Sequence, residues 1–126
     1  MDENSISYKI RGAIFEVYNN LGPGLLESVY EAALKRELIQ LNLSIENQVP
    51  IPIKYKGIDL ELGFRLDLLV NKKVIVEIKS VEELKDVFYK QLLTYLKLTH
   101  LKLGILVNFN TSAINKSIIR IVNNLR

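Results

Sequence analysis

Two apolar runs separated by a short polar break constrain this chain more than any other feature. The runs are residues 64–70 and 74–79, and Asn71, Lys72 and Lys73 lie between them. Runs this apolar are typical of strands buried on both faces. A short polar break between two such runs is typical of a hairpin loop. The sequence therefore predicts two adjacent antiparallel strands inside a sheet.

Each of these runs contains one carboxylate. A three-residue loop places Asp67 directly opposite Glu77, where Cβ atoms are about 4.5–5.5 Å apart and like charges repel. Because burying an unpaired carboxylate costs several kcal/mol, the pair needs a positive partner. A divalent metal ion is the simplest candidate. Lys79 lies two residues after Glu77 and therefore on the same face of the strand.

The residues alone also offer other partners for these charges. Asp67 could form a salt bridge with Arg65 or with a lysine of a neighbouring strand, and Glu77 with Lys79 could be an exposed pair on a solvated sheet face. The apolar residues on both faces of the hairpin argue against this alternative. We therefore expect Mg²⁺ or Mn²⁺, since Mg²⁺ prefers oxygen ligands and usually takes one or two carboxylates plus substrate phosphates.

The composition limits the classes of function. With 126 residues, of which 48% are hydrophobic and 25% charged, the chain is expected to form a single domain over residues 1–126. The absence of cysteine excludes disulfides, thiolate metal sites and a cysteine nucleophile. The sequence shows neither a secretory signal pattern nor an apolar run of about 20 residues. We therefore expect a cytoplasmic protein that does not span a membrane.

The charges are unevenly distributed along the chain. The net charge is +3, and every Asp and Glu lies at or before Asp86. Such an asymmetry indicates a positive surface for a polyanion. Taken alone, the basic residues are better explained as solvated helix faces.

Periodicity and turn residues predict the remaining elements. A first helix is expected to be capped by Ser5 and stopped by Gly22, and a second to cover residues 25–41. Two prolines between residues 50 and 53 point to an edge strand. Lys56 and Gly57 are expected to turn the chain into the next strand.

The C-terminal half continues the alternation of strands and helices. The pattern Ser80 to Glu83 matches a capping box, which predicts a helix running to residue 98. Residues 103–107 are expected to form another buried strand and residues 112–125 a last helix. The predicted fold is α/β, with a mixed central sheet flanked by helices.

Gly24, Glu27 and Tyr30 are spaced by three and lie along one stripe of the second helix. Glu27 either stabilises the positive end of the helix, by about 0.3–1 kcal/mol, or points into the sheet as a third metal carboxylate. In the first interpretation, which is the simpler one physically, Tyr30 is a half-buried core aromatic. Gln91 and Tyr95 also share one helix face and either contact each other beside the core or contact DNA phosphate and the metal-bound water.

These motifs resemble the GxxExxY protein family over nearly the whole chain. The matching segments, in chain order, are residues 24–30, 65–70, 76–79, 91–95 and 106–109. That family is placed in the PD-(D/E)xK nuclease superfamily, so the resemblance implies a restriction-endonuclease-like core. It also implies that Asp67, Glu77 and Lys79 form the D…ExK signature and that Glu27 completes the metal site. Gln91 and Tyr95 resemble the QxxxY element of RecB-type nucleases.

The leading hypothesis is a divalent-metal-dependent nuclease that hydrolyses DNA phosphodiester bonds. The metal would be held by Asp67, Glu77, Glu27 and the carbonyl of Ile78, and Lys79 would position the water or stabilise the transition state. A chain this short leaves little room for base-reading elements, so structure-selective or nonspecific cutting is expected. The candidate contacts to nucleic acid are Gln91, Tyr95, Tyr30, Lys85 and Lys90.

Two other hypotheses remain open from the sequence. One is a non-cleaving nucleic-acid-binding or partner-dependent protein on the same fold. The other is a purely structural domain whose acidic pair is locked by lysines. A homodimer or an accessory protein partner is compatible with the nuclease hypothesis, because a dimer supplies two sites for two strands.

Overall fold

The computed structural model describes residues 1–125, except for the side chains of Glu61 and Leu62. The elements are, in chain order, α1 (Glu3–Leu21), α2 (Glu27–Gln40), β1 (Ile45–Tyr55), β2 (Ile58–Val70), β3 (Val74–Lys79), α3 (Asp86–Thr99), β4 (Leu103–Asn108), a short 3₁₀ helix (Ile114–Lys116) and β5 (Ile118–Val122). None of the helices in this part of the chain is long and apolar enough to cross a membrane.

Within residues 1–125, five strands form one mixed sheet in the order β1-β2-β3-β4-β5. Strands β3 and β4 are parallel, and the other neighbouring pairs are antiparallel. A parallel pair needs a crossover connection, and α3 provides it. Helices α1 and α2 pack on one face of the sheet, and α3 packs on the other. The predicted α/β class, with a mixed central sheet flanked by helices, is confirmed.

The central hairpin forms as predicted. Its loop has three residues, and the ladder of β2 and β3 runs from the pair Val70–Val74 to the pair Leu68–Val76. Asn71 tolerates the left-handed backbone conformation of this loop, with φ of 52°. All of β3 except its last residue is buried. The two apolar runs are therefore adjacent strands inside the sheet.

The predicted edge strand and its turn are also confirmed. Strand β1 lies at one edge of the sheet, where Pro50 and Pro52 remove no hydrogen bond to a further strand. Lys56 and Gly57 form the turn to β2, both with positive φ. The turn-forming residues Lys56 and Gly57 were therefore sufficient to predict where β1 turns into β2.

The prediction of a last helix over residues 112–125 is wrong. This segment forms the short 3₁₀ helix and then β5, which pairs with β4. Ile118 packs into the cluster on the α1–α2 face, whereas Ile119 and Ile121 pack on the α3 face. Only a strand presents successive side chains to opposite faces, and β-branched residues favour strands. Tertiary pairing therefore decides the conformation of this segment.

Two predicted helix starts also differ from the structure. Helix α1 begins after Asp2, whose Oδ1 accepts the N–H of Ser5 at 2.8 Å, so Ser5 lies in the first turn. Helix α3 begins after Lys85, without a side-chain cap. The capping box at Ser80 does not form, because the Ser80 hydroxyl donates to the carbonyl of Leu25 at 2.6 Å. The bounds of α2 agree with the prediction to within two residues.

Replacing Gly104 with alanine is expected to lower the free energy of unfolding by about 1–3 kcal/mol. A Cβ at this position in β4 would lie 2.8 Å from Cδ1 of Leu92, a fully buried residue of α3. Urea denaturation measures the change. Gly12→Ala is the control, because a Cβ there has no neighbour within 4 Å and alanine stabilises a helix interior by about 1 kcal/mol. Equal effects in both variants would contradict this description of the α3–sheet contact.

Candidate functional site

The acidic pair lies where β2 and β3 separate, and we call this place the fork. The last ladder pair before it is Leu68–Val76. One residue further, the N–H of Asp67 donates to Oε2 of Glu77 at 2.8 Å, and the N–H of Ile78 donates to Oδ2 of Asp67 at 2.7 Å. Buried peptide groups need a hydrogen-bond partner, and here the carboxylates replace the neighbouring strand. If the register of the Leu68–Val76 pair is continued by one residue, Asp67 lies opposite Glu77, as predicted.

The two carboxylates at the fork are largely withdrawn from water, and no described Lys, Arg or His side chain forms an ion pair with them. The side chain of Glu77 is 7% exposed, and Asp67 is half-buried. Among the described side chains, the only ion pair within 4.0 Å joins Lys54 and Asp59 at the surface. This finding contradicts the alternative in which lysines lock the acidic pair.

Burial raises the pKa of Glu77 from its usual 4.5 to about 8, and the nearby negative charge of Asp67 contributes to the same shift. Burial also raises the pKa of Asp67, although the N–H of Ile78 and the charge of Lys79 act against the shift. Two interacting carboxyl groups in a poorly solvated site do not readily carry two negative charges. A bound cation would compensate both charges at once.

Lys79 stands at the end of β3, beside the fork. Its ammonium group lies 4.7 Å from the ring centroid of Phe88 on α3, which is a cation–π distance. Its positive charge opposes the rise in the pKa of both Asp67 and Glu77, which burial dominates. The structure therefore brings the three residues of the predicted signature together.

Glu27 lies next to the fork, and its negative charge contributes to the raised pKa of Asp67. Its Oε2 accepts the N–H of Ser80 at 2.9 Å, and it is exposed at the start of α2. Among the described residues, no three Asp, Glu or His side chains are placed closely enough to hold a metal ion. The expected convergence of three carboxylates is therefore not seen, because Glu27 is engaged by the peptide after Lys79.

Tyr30 is a core residue. Its side chain is 0% exposed, its hydroxyl donates to the carbonyl of Gly22 at 2.6 Å, and it accepts the N–H of Leu25 at 3.1 Å. Its ring stacks on that of Phe109 with centroids 4.3 Å apart. This burial contradicts the prediction that Tyr30 contacts nucleic acid. The hydroxyl instead fixes the turn that precedes Glu27.

The predicted nucleic-acid contacts on α3 and directly before it differ in their exposure to solvent. Tyr95 is 6% exposed and packs against Phe64, which argues against direct contact of its ring with nucleic acid. Burial raises the pKa of Tyr95, and the negative charges of Glu77 and Asp67 contribute to the same shift, so Tyr95 lies near the acidic pair. Gln91 is half-buried one turn earlier, whereas Lys85 and Lys90 are exposed.

Two further polar residues at the fork were missed from the sequence. The amide nitrogen of Gln48 donates to Oε1 of Glu31 at 2.6 Å and lies 3.4 Å from Oδ1 of Asp67. Burial raises the pKa of Glu31. Glu31 follows Glu27 by four residues on α2, a spacing that could have identified it. Gln48 carries no such signal, because only the pairing of β1 with β2 brings it to the fork.

The donor set at the fork fits a hard divalent cation. Carboxylate oxygens are the ligands that Mg²⁺ prefers, and it commonly takes only one or two of them. Asp67 and Glu77 each have one oxygen fixed by a peptide N–H. Hydrogen bonds of this kind hold ligating carboxylates in place and orient them toward the metal.

The metal-free protein is expected to lose stability as the pH rises from about 5 to 8. Over this range folded Glu77 keeps a proton that the unfolded chain has released, because its pKa is raised from 4.5 to about 8. Stability is therefore unaffected by this group below its unfolded pKa and lowest above its folded pKa. The expected loss is on the order of a few kcal/mol.

Urea denaturation at several pH values in a chelator measures this dependence. Glu77→Gln is the matched variant, because it keeps the hydrogen-bond acceptor and removes the titrating group. The wild-type protein should lose more stability with rising pH than the variant does. Identical pH profiles would show that Glu77 does not carry the raised pKa.

Comparison with known proteins identifies the family. A family model for the PD-(D/E)XK nuclease superfamily matches residues 4–121, which include the fork, Lys79 and Glu27. No curated protein and no solved structure matches the chain. The match is to the superfamily, so membership of the GxxExxY family stays a prediction. The mixed sheet flanked by helices is consistent with a restriction-endonuclease-like fold, and the chain belongs to the PD-(D/E)XK nuclease superfamily.

Proposed function

We propose that this protein is a divalent-metal-dependent nuclease that hydrolyses DNA phosphodiester bonds. The observation that carries the proposal is the buried Asp67–Glu77 pair at the fork, with Lys79 beside it. Superfamily membership supports a nuclease, and nucleases of this superfamily generally use divalent metal ions. The intact set of two acids and a lysine favours cleavage over the non-cleaving alternative.

We assign the residues at the fork two roles, metal binding and stabilisation of the phosphate. Asp67, Glu77 and the carbonyl of Ile78 would hold Mg²⁺ or Mn²⁺, and Glu27 borders the same site. The cation, when bound, supplies a water of lowered pKa and neutralises charge on a phosphate oxygen. Lys79 offers a compact positive charge for the attacking water or the scissile phosphate.

The substrate is proposed to be DNA held mainly through its phosphates. Lys85 is exposed directly before α3 begins, Lys90 is exposed on the helix, and Gln91 follows Lys90 in the chain. Contacts to phosphates position a nucleic acid without reading its sequence. We therefore propose structure-selective or nonspecific cutting. The cytoplasmic location and the homodimer or accessory partner stay predictions.

Wild-type protein is expected to cut labelled DNA in Mn²⁺, and Lys79→Ala is expected to cut at least about 100-fold more slowly, since the charge that faces the phosphate is lost. Gel assays on linear duplex, single-stranded and four-way-junction DNA measure the rates and the preferred form. Lys116→Ala is the matched control, because it removes an exposed lysine of the 3₁₀ helix. Equal cutting by wild type and Lys79→Ala would identify a contaminant and contradict the proposal.

Mg²⁺ or Mn²⁺ is expected to raise the melting temperature of the wild-type protein, because a ligand that binds the native state stabilises it. At a metal concentration 100-fold above the Kd the gain is about 2.7 kcal/mol. Asp67→Asn should abolish this shift. Asp59→Asn, which removes a surface carboxylate paired with Lys54, should retain it. The same shift in both variants, or no shift in the wild type, would exclude the fork as the metal site.

A further inference from the structure

Asn108, the last residue of β4, is a buried polar residue to which the proposed reaction assigns no role. It is 5% exposed, and its side-chain amide contacts both polar groups of one backbone residue. Oδ1 accepts the N–H of Val81 at 3.1 Å, and Nδ2 donates to the carbonyl of Val81 at 2.9 Å. A primary amide is suited to this contact because it presents a donor and an acceptor in one plane.

This contact fixes the chain directly after β3. Lys79 is paired with Asn108 in the parallel register of β3 and β4, and the N–H of Phe109 donates to the carbonyl of Lys79 at 2.9 Å. Helix α3 begins only at Asp86. The segment 80–85 therefore depends on side-chain contacts rather than on a helix or a strand for its path.

The fixed segment adjoins two groups of the candidate site. It follows directly on Lys79, whose charge acts on both acids of the fork, and it begins with Ser80, whose N–H donates to Glu27. Moving the peptide of Val81 would move the N–H of Ser80, the residue directly before it, and Lys79 lies only one residue further.

We infer that Asn108 is a positioning residue of the nuclease site. Its amide holds the backbone of Val81, and through this backbone it orients Lys79 and aims the N–H of Ser80 at Glu27. The effect on catalysis rests on the proposed function, whereas the effect on the backbone does not.

The first test compares Asn108→Ala with Asn123→Ala. Asn123 is the control, because its Nδ2 donates to the carbonyl of Leu101 at 3.1 Å beyond the opposite end of β4. Asn123→Ala loses this one amide-to-backbone hydrogen bond, whereas Asn108→Ala loses the two bonds to Val81 and a third, which Oδ1 accepts from the N–H of Asn110 at 3.2 Å. At a temperature where both are folded, Asn108→Ala should lower kcat on DNA about 10- to 100-fold at unchanged KM. Asn123→Ala should retain the wild-type kcat, and an equal loss in both variants would overturn the inference.

The second test needs no activity. Amide hydrogen exchange of the metal-free protein should be at least about tenfold faster at Ser80 and Val81 in Asn108→Ala, and unchanged there in Asn123→Ala. Unchanged exchange at Ser80 would overturn the inference. Faster exchange in a protein whose wild type does not cut DNA would refute the proposed function and leave the positioning role intact.

A second variant covers the case in which Asn108→Ala does not fold. Asn108→Asp keeps the shape of the side chain and the acceptor for the N–H of Val81, and it loses the donor to the carbonyl. The same loss of kcat and the same faster exchange at Ser80 are expected. Wild-type values for both quantities in this variant would overturn the inference.

Discussion

The rest of the site depends on a reciprocal pair of hydrogen bonds between β2 and β3. In each bond a carboxylate of the acidic pair accepts a peptide N–H of the other strand. Where β2 leaves β3, the N–H groups of Asp67 and Ile78 lose a neighbouring strand, and the side chains of Glu77 and Asp67 accept them. The same acids therefore end the ladder and concentrate negative charge in a buried place. The raised pKa of Glu77 is the electrostatic consequence of this arrangement.

Several elements contribute groups around the fork, and most of these groups are distant in sequence. Helix α2 brings Glu27 and Glu31, strand β1 brings Gln48, and helix α3 brings Tyr95. The parallel pairing of β3 with β4 brings Asn108 beside Lys79. The stacking of Tyr30 on Phe109 ties α2 to the end of β4, so the helix that carries Glu27 and the strand next to Lys79 are held as one unit.

The features that could be predicted from the sequence are those that local spacing determines. The hairpin, its register and the proximity of Asp67 to Glu77 follow from the loop length and from the alternation of side chains along a strand. The position of Lys79 beside the acids follows from its separation of two residues from Glu77, which puts both side chains on the same face of β3. The last helix was predicted wrongly because Ile118 and its neighbours suit either periodicity, and only the free edge of β4 favours a strand.

The residues that could not be predicted are those whose role depends on distant contacts. The amides of Gln48 and Asn108 reach the site through strand pairing, which a single sequence does not reveal. Tyr30 shares a helix stripe with Glu27, but packing against Phe109 turns it into the core.

The acids at the fork both accept peptide N–H groups and supply the negative charge of the site, and this combination limits how the site can change during evolution. Losing either carboxylate leaves a peptide N–H without an acceptor in the interior, so mutation to a small apolar residue would harm folding and chemistry together. An amide side chain of the same shape would satisfy the peptide while removing the charge. A descendant of this protein that abandoned cleavage could therefore keep its architecture by acquiring asparagine or glutamine at these two positions.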